Sequence, residues 1–450
     1  MGLGPPAFPG ASKAAAGEAP IDTALTLAMT NELYASLRVA AAIVERDPTM
    51  PTALCLVGRL LGELGHREVA RVACEVAVER AIDVENLPLA VASAHELSRF
   101  GGEGERKLDV IADSFCKGSP RLGLGAPPPP PLPDDDSFVA LPSALSGAAL
   151  VREVTRIVEA AKATLDALVT RPRIAPLQLF SAMGRDGLRS LCASATSTWV
   201  KNGRSIIEEG AAGNEAYFVA RGDLEVRRRK NDETVLLARL TNGAIFGEMA
   251  LLARAPRVAS VQAVRPSIVI EVKRDALDEI VGEHPEVATE LANHCRERMF
   301  ENLLRASDIL SVVAPSQRGV LVERFTTRVF ETNQRIITQG ERPPGLYLIA
   351  SGEVAVVRRE GDGDPLVLSQ LGAGEVVGEV AMVLRRQATA DVIALHPTVS
   401  LFLSTEQFMG LLDDHPVILA HLYVLAVKRD EETRNAIQEE AFVAEDFVLL

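Results

Sequence analysis

From about residue 20 to 115, apolar residues recur at three- and four-residue spacing, which predicts a series of amphipathic helices. Leu54, Val57, Gly58, Leu61, Gly65, Ala70, Cys74 and Ala77 add a finer alternation of large and small packing positions. Asp47-Pro48 would close a preceding unit in the same register. Small residues at such positions let paired helices approach closely, and an ordinary helical bundle satisfies the same spacing. The periodicity then stops. Gly123, Gly125, Pro127 to Pro131, Pro133 and the triplet Asp134-Asp135-Asp136 sustain neither helix nor sheet. They read as a semi-rigid polyproline spacer with a solvated acidic end, expected to separate the helical part from all that follows. An amphipathic helix around 147–169 comes next.

Beyond it the period shortens and the chain repeats itself. Trp199 to Gly222 and Val329 to Gly352 align at an offset of 130, pairing Ile206-Ile207 with Ile336-Ile337, Gly210 with Gly340, Tyr217 with Tyr347 and Gly222 with Gly352. Phe180-Ser181 and Leu310-Ser311 keep that offset upstream, and Gly243, Gly247 and Glu248 match Gly374, Gly378 and Glu379 at 131. Brief β-rich runs such as Ala216-Tyr-Phe-Val-Ala and Leu346-Tyr-Leu-Ile-Ala, cut by glycine, predict an all-β sandwich or roll in each copy. The pattern over 54–77 resembles a tetratricopeptide repeat. The expected fold is therefore multidomain α + β: an N-terminal α-helical, tetratricopeptide-like module, then two β-roll or jelly-roll domains with flanking helices. The expected bounds are a flexible N-terminus at 1–19, the helical module at 20–117 and the linker at 118–145. A first β-domain with leading and trailing helices takes 146–305, a second takes 306–435, and 436–450 is an acidic–apolar tail.

Charge and cysteine content narrow the function classes. Asp plus Glu number 61 against 47 Lys plus Arg, a net charge of −14. That balance argues against a chain built to grip nucleic acid, which needs clustered cations. Five scattered cysteines without a CxxC pair suit a reducing compartment and no zinc knuckle. The N-terminus lacks a secretory pattern and no stretch approaches a membrane span, so the expectation is a cytoplasmic protein. The seven histidines are dispersed and no HExxH, GxSxG, P-loop or kinase signature occurs. No catalytic residue, metal site or bound cofactor is expected.

The candidate chemistry lies at Phe246-Gly247-Glu248-Met249-Ala250-Leu251-Leu252 and Pro256-Arg257-Val258-Ala259-Ser260-Val261. A glycine lets the backbone approach a phosphate, and the N–H groups after it open a short helix whose positive end suits an anion. Arg257 supplies a fixed-charge fork for phosphate oxygens. A surface salt bridge between Glu248 and Arg257 is the plainer alternative. These residues resemble the phosphate-binding cassette of the cyclic nucleotide-binding domain family, which includes the regulatory subunits of cyclic-AMP-dependent protein kinase and the catabolite activator proteins. The resemblance covers roughly 177–430 as two tandem domains. It implies that Gly247, Glu248, Met249, Ala250, Arg257, Val258, Ala259 and Ser260 bind the ligand, with Glu248 accepting from the ribose 2′-hydroxyl. Val258 stands where guanine-selective relatives commonly place Thr, which leans towards cAMP over cGMP. Met299 or Phe300 is a candidate lid over the base.

In the second copy Gly378, Glu379, Val380 and Ala381 keep the first half of the cassette, while Ala388 stands where Arg257 does and Asp391 where Ser260 does. Losing a charge-assisted arginine–phosphate interaction costs on the order of 1.5–3 kcal/mol, ten- to hundredfold in affinity. Arg386 or Arg385 would have to replace it beside Ala388 and Thr389, and Asp391 near a phosphate would weaken the site further. The second site is thus expected to be weak, with Tyr423 on the last helix as either an aromatic lid or a core residue. The resemblance implies a non-enzymatic receptor for cAMP or cGMP that signals to a protein partner held by the helical module. The alternative is an interaction scaffold whose nucleotide-binding domains are vestigial. A helix-turn-helix after the second copy and a basic inhibitor-like site in the linker, both found in relatives, are not evident here.

Overall fold

In the computed structural model, residues 20–123, 138–177, 179–230, 233–248, 257, 259–306, 318–359, 365–414 and 416–448 are described. The helical periodicity resolves into α1 (Pro20–Met29), α2 (Leu33–Arg46), α3 (Pro51–Glu63), α4 (Arg67–Asp83), α5 (Leu87–Arg99) and α6 (Gly104–Phe115). Each helix packs on the next, so the six form one row. Their starts are locally encoded. Pro51 sits in the first turn of α3, where a missing N–H is harmless. Asn86 Oδ1 accepts from Leu89 N at 3.0 Å and caps α5. Helix α3 buries nine of its residues from Thr52 to Leu61, nearly all round. A helix apolar on every side needs cover from every side.

That cover overturns the expected separation at the proline-rich spacer, whose residues 124–137 lie outside the described ones. Its flanks fold back. Gly123 N donates to Ile174 O and Ile174 N to Arg121 O, each at 3.0 Å, so the upstream flank runs beside the segment around Ile174, well beyond the spacer. Leu141 N donates to Arg38 O on α2, and Phe138, Leu141 and Leu145 pack on the helical core. Helix α7 (Gly147–Asp166) then lies across α2 and α4, burying Leu150, Val154, Ile157, Val158, Ala161 and Leu165 along one stripe. It belongs with the row rather than leading the β-domain.

The duplication becomes two rolls of identical strand order. The first has β1 (Thr196–Val200), β2 (Ser205–Ile207), β3 (Glu215–Arg221), β4 (Leu224–Lys230), β5 (Glu233–Leu240), β6 (Ile245–Phe246), β7 (Ser260–Ala263) and β8 (Ser267–Lys273). Its antiparallel sheets run β1-β8-β3-β6 and β2-β7-β4-β5. The second has β9 (Thr326–Phe330), β10 (Arg335–Ile337), β11 (Gly345–Ser351), β12 (Glu353–Arg358), β13 (Leu366–Gly372), β14 (Val376–Val377), β15 (Asp391–Ala394) and β16 (Thr398–Ser404), with sheets β9-β16-β11-β14 and β10-β15-β12-β13.

Strands β3 and β8 explain why the rolls do not stand alone. Tyr217, Val219 and Val269 point into the roll, whereas Ala216, Phe218, Ala220, Ile268, Ile270 and Val272 join the core of the helical row. Continuous apolar strands of this kind are buried on both faces. The outer face is covered by α5, by α8 (Arg185–Ser194), and by α9 (Arg274–Glu283) and α10 (Pro285–Ala306). Charge seals the rim. Asp22 of α1 pairs with Arg221 at the end of β3, and accepts from Arg265 Nε at 3.0 Å. In the second roll, α11 (Arg318–Glu323), α13 (Thr405–Asp414) and α14 (Pro416–Val448) provide the cover.

Helix α10 spans both cores. Val287, Leu291 and Cys295 pack in the first, Met299 and Phe300 in the second. Phe300 lies 5.7 Å from Phe325, centroid to centroid. Neither residue is a lid over the first pocket, because this end of the helix has already reached the next roll.

Asp22 is the counter-charge of a guanidinium that burial pushes below its ordinary pKa. Asp22→Ala strands that charge and is expected to cost about 3 kcal/mol, the low end for breaking a buried pair. Urea unfolding of the full chain should show a lower midpoint, and an unchanged midpoint would contradict the structural role given to this pair.

Candidate ligand-binding site

In the first roll β6 is followed by Gly247, whose φ of +75° and close surroundings admit no side chain. A Cβ there would stand 2.7 Å from Arg257 Nη1 and 3.1 Å from Glu215 O. Arg257 is 8% exposed. Its Nη1 donates to Gly247 O at 2.9 Å, and its Nη2 donates to Glu215 O at 2.8 Å and to the Glu215 carboxylate at 3.1 Å. The backbone is held equally firmly: Arg257 N donates to Ala211 O and Arg257 O accepts from Gly210 N. Gly213 completes the cradle, since a Cβ there would lie 2.0 Å from Arg257 Nε. Neither Gly213 nor Glu215 emerged from the sequence pattern, which carries no mark of which loop meets the arginine.

The remaining first-site residues divide. Ala259 is buried at the entry to β7, and Ser260 Oγ accepts from Glu209 N at 2.9 Å, a structural use of that hydroxyl. Glu248 is buried and lines a narrow apolar crevice with Met183, Leu191, Phe218, Leu277 and Val287 on the helix side of the sheet. The Arg257 guanidinium lies 6.0 Å from the Tyr217 ring centre. Gly247 and Arg257 are thus brought together. Met249, Ala250 and Val258 lie outside the described residues.

The second roll repeats this frame with different charges. Ala388 makes the backbone bonds of Arg257: its N donates to Glu341 O and its O accepts from Gly340 N, both at 2.8 Å. The two positions are structurally equivalent. Gly378, at φ +92°, precedes the short helix α12 (Glu379–Val383). Gly378, Glu379, Val380, Ala381, Ala388 and Thr389 line one cavity of about 100 Å³.

The cation there comes from elsewhere in the chain. Arg429 of α14 donates through Nη1 to Val376 O at 2.5 Å and to the Glu379 carboxylate at 2.6 Å. Glu379 is 2% exposed. Burial pushes its carboxyl above the usual range, and Arg429 pulls back without cancelling the effect.

Three expectations are corrected in this roll. Arg386 does not line the cavity, because Asp430 of α14 pairs with it and also accepts from Arg434 at 2.6 Å. Asp391 does not face a phosphate: its carboxylate accepts from Gln339 N at 2.8 Å and lies 3.3 Å from Arg335. It takes the place of the Ser260–Glu209 bond, with arginines to balance the charge. Tyr423 is 54% exposed and is neither lid nor core, since the buried face of α14 runs through Ile418, Leu422 and Ala426.

The family model described as cyclic nucleotide-binding domain matches residues 197–284 and again 327–415. The chain is similar to the cAMP-dependent protein kinase regulatory subunit of Yarrowia lipolytica, 30% identical over 213 residues, or 47% of this chain and 53% of the relative. It is similar to the cAMP-dependent protein kinase type II regulatory subunit of Drosophila melanogaster, 30% identical over 236 residues, or 52% of this chain and 59% of the relative. It also resembles human cGMP-dependent protein kinase 2, 28% identical over 240 residues, 52% of this chain but only 30% of that kinase. The chain thus spans a little over half the length of the two regulatory subunits it matches. Its two β-rolls are cyclic nucleotide-binding domains. Among the described residues no single helix is long and apolar enough to cross a membrane.

Arg429 gives the second roll a test of its own. Arg429→Met leaves Glu379 buried without a counter-charge, which is expected to destabilise by about 3 kcal/mol at neutral pH. A carboxylate with a raised pKa binds its proton more readily folded than unfolded, so stability falls as pH rises through that window. Removing Arg429 steepens the fall. Thermal unfolding of wild type and variant between pH 5 and pH 8 should therefore diverge with rising pH, and parallel curves would contradict the pairing.

Proposed function

We propose that this protein is a non-enzymatic cyclic nucleotide receptor that senses its ligand through the first roll and passes the change to a protein partner. The observation that carries this reading is the cradle around Arg257. A guanidinium is held almost out of solvent at the end of a Gly-Glu turn, in a domain of the cyclic nucleotide-binding family. Its donors are aimed at two carbonyls and one carboxylate. A cyclic phosphate offers the same kind of acceptor with a full negative charge, and forms stronger charge-assisted bonds than a neutral carbonyl.

Glu215 is the internal competitor. Its carboxylate neutralises Arg257 while the site is free, and it would stand beside a bound phosphate as a like charge. In the second roll its counterpart is Gly345 and the arginine is absent. Arg429 balances Glu379 there. A nucleotide entering that pocket would have to disrupt a buried ion pair without gaining an arginine at position 388, which supports unequal sites. Val258 offers no hydroxyl for a guanine amino group, which favours cAMP over cGMP.

One observation favours the scaffold alternative. In both rolls the candidate cation is already satisfied by a carboxylate of the same chain, Arg257 by Glu215 and Arg429 by Glu379. A fold stabilised in this way does not need a ligand. Calorimetric titration separates the two readings. The full chain is expected to bind cAMP more tightly than cGMP, Arg257→Ala to lose ten- to hundredfold in affinity, and Glu215→Gln to gain a few-fold. Absence of heat with both nucleotides, or an Arg257→Ala variant that binds like wild type, would leave the scaffold.

A further inference from the structure

The second roll keeps a cavity but lacks the cradle that holds Arg257 in the first. Backbone bonds fix the comparison. Arg257 N donates to Ala211 O as Ala388 N does to Glu341 O, and Arg274 N donates to Asn214 O as Thr405 N does to Pro344 O. In that register Ala388 stands for Arg257, Pro343 for Gly213 and Gly345 for Glu215. All three changes bear on one guanidinium. At Gly213 even a Cβ would lie 2.0 Å from Arg257 Nε, and Glu215 supplies both a carbonyl and a carboxylate to Arg257. The second roll thus has no arginine at 388, a proline ring where seating one takes a glycine, and no acid at 345 to balance it.

The cavity of about 100 Å³ remains, walled by Ile337, Val356, Leu371, Val377 and Val392 from five strands of both sheets. Among the described residues that line it, the charged ones are Glu379, Glu432 and Arg429, two acids against one cation. That cation is committed. Beyond its bonds to Val376 O and Glu379, Arg429 Nη2 lies 3.4 Å from the Glu375 carboxylate. Other arginines around this loop are bound as well. Arg386 pairs with Asp430, Arg335 and Arg359 with Asp391, and Arg358 donates to Thr389 O at 3.2 Å.

We propose that the second roll is a site for an uncharged, nucleoside-like ligand: a ring system bearing O–H or N–H donors and no phosphate. A phosphate would enter a space bordered by two acids. To reach Arg429 it would have to part that residue from Glu379 and leave a buried carboxylate unpaired, the costly way to open an ion pair. An uncharged ligand leaves the pair in place. Apolar walls with a few polar groups at their border are what a ring-bearing small molecule needs, and acids at that border accept from hydroxyl or amino hydrogens that would otherwise be buried at a loss. The site belongs to the second roll alone and stands whether or not the first is a sensor. Together with the receptor reading, it gives the chain two inputs that differ in charge.

The test titrates the full chain with adenosine and guanosine, using cAMP and cGMP as their charged counterparts. Calorimetry gives the affinities and hydrogen exchange locates the ligand. Occupancy of the second roll protects β12, β13 and α14 around Arg429, whereas occupancy of the first protects β3 and the 210–215 loop. At least one nucleoside is expected to protect the second roll and to bind there about tenfold tighter than its cyclic phosphate. Rebuilding the cradle with Ala388→Arg/Pro343→Gly is expected to reverse that order, raising the second roll's affinity for the cyclic nucleotide about tenfold. No protection of the second roll by either nucleoside, or a cyclic nucleotide that binds the wild-type second roll as tightly, would overturn the proposal. Protection of the first roll by cAMP would in that case keep the receptor reading. Nucleoside protection of the second roll without any cAMP protection of the first would support this site and overturn the receptor reading.

Discussion

The architecture depends on one constraint: the β3–β8 layer of the first roll is apolar on both faces. Tyr217, Val219 and Val269 fill the roll, while Phe218, Ile268 and Ile270 leave an outer surface that water would penalise. At roughly 25 cal/mol per Å² of apolar surface, that outer face strongly favours a helical cover. The first roll takes part of its cover from the N-terminal row, and the second takes its own from helices near the C-terminus. Helix α10 serves both, packing Val287 and Leu291 into one core and Met299 and Phe300 into the next. The three sequence units are consequently mechanical neighbours rather than beads on a spacer.

The two pockets show how a duplicated frame can be retained while its charges are redistributed. Arg257 and Ala388 make the same backbone bonds, so the loop does not need the guanidinium in order to fold. The second roll, which has alanine at this position, holds Arg429 of α14 against its cassette glutamate. That cation neutralises Glu379 and is committed to it. In the first roll Glu215 plays the complementary part, an acid that holds the base. Both pockets are internally balanced, but only the first keeps its cation on the cassette itself.

Much of this was legible in the sequence, for identifiable reasons. The repeat could be read because glycines at turns, such as Gly210 and Gly340, and paired apolar runs are local features that survive duplication. The helical region could be read because its periodicity is local as well. What escaped were contacts between segments far apart in the chain. Asp22 meeting Arg221, Arg59 stacking on Trp199 and Arg429 reaching Glu379 leave no periodic trace. The fates of Met299, Phe300, Tyr423 and Asp391 were misjudged for a related reason, since each depends on which neighbouring element lies opposite. The spacer misled because composition reports the stiffness of a segment, and says nothing of whether its flanks pack on the same core.

The central claim is that the first roll is the ligand sensor and the second is not its equal. Equilibrium dialysis of the full chain against labelled cAMP tests this most directly, because it counts sites rather than inferring them. The account predicts one tight equivalent per chain, with any second equivalent ten- to a hundredfold weaker. Two equivalents of equal affinity, or none, would contradict it.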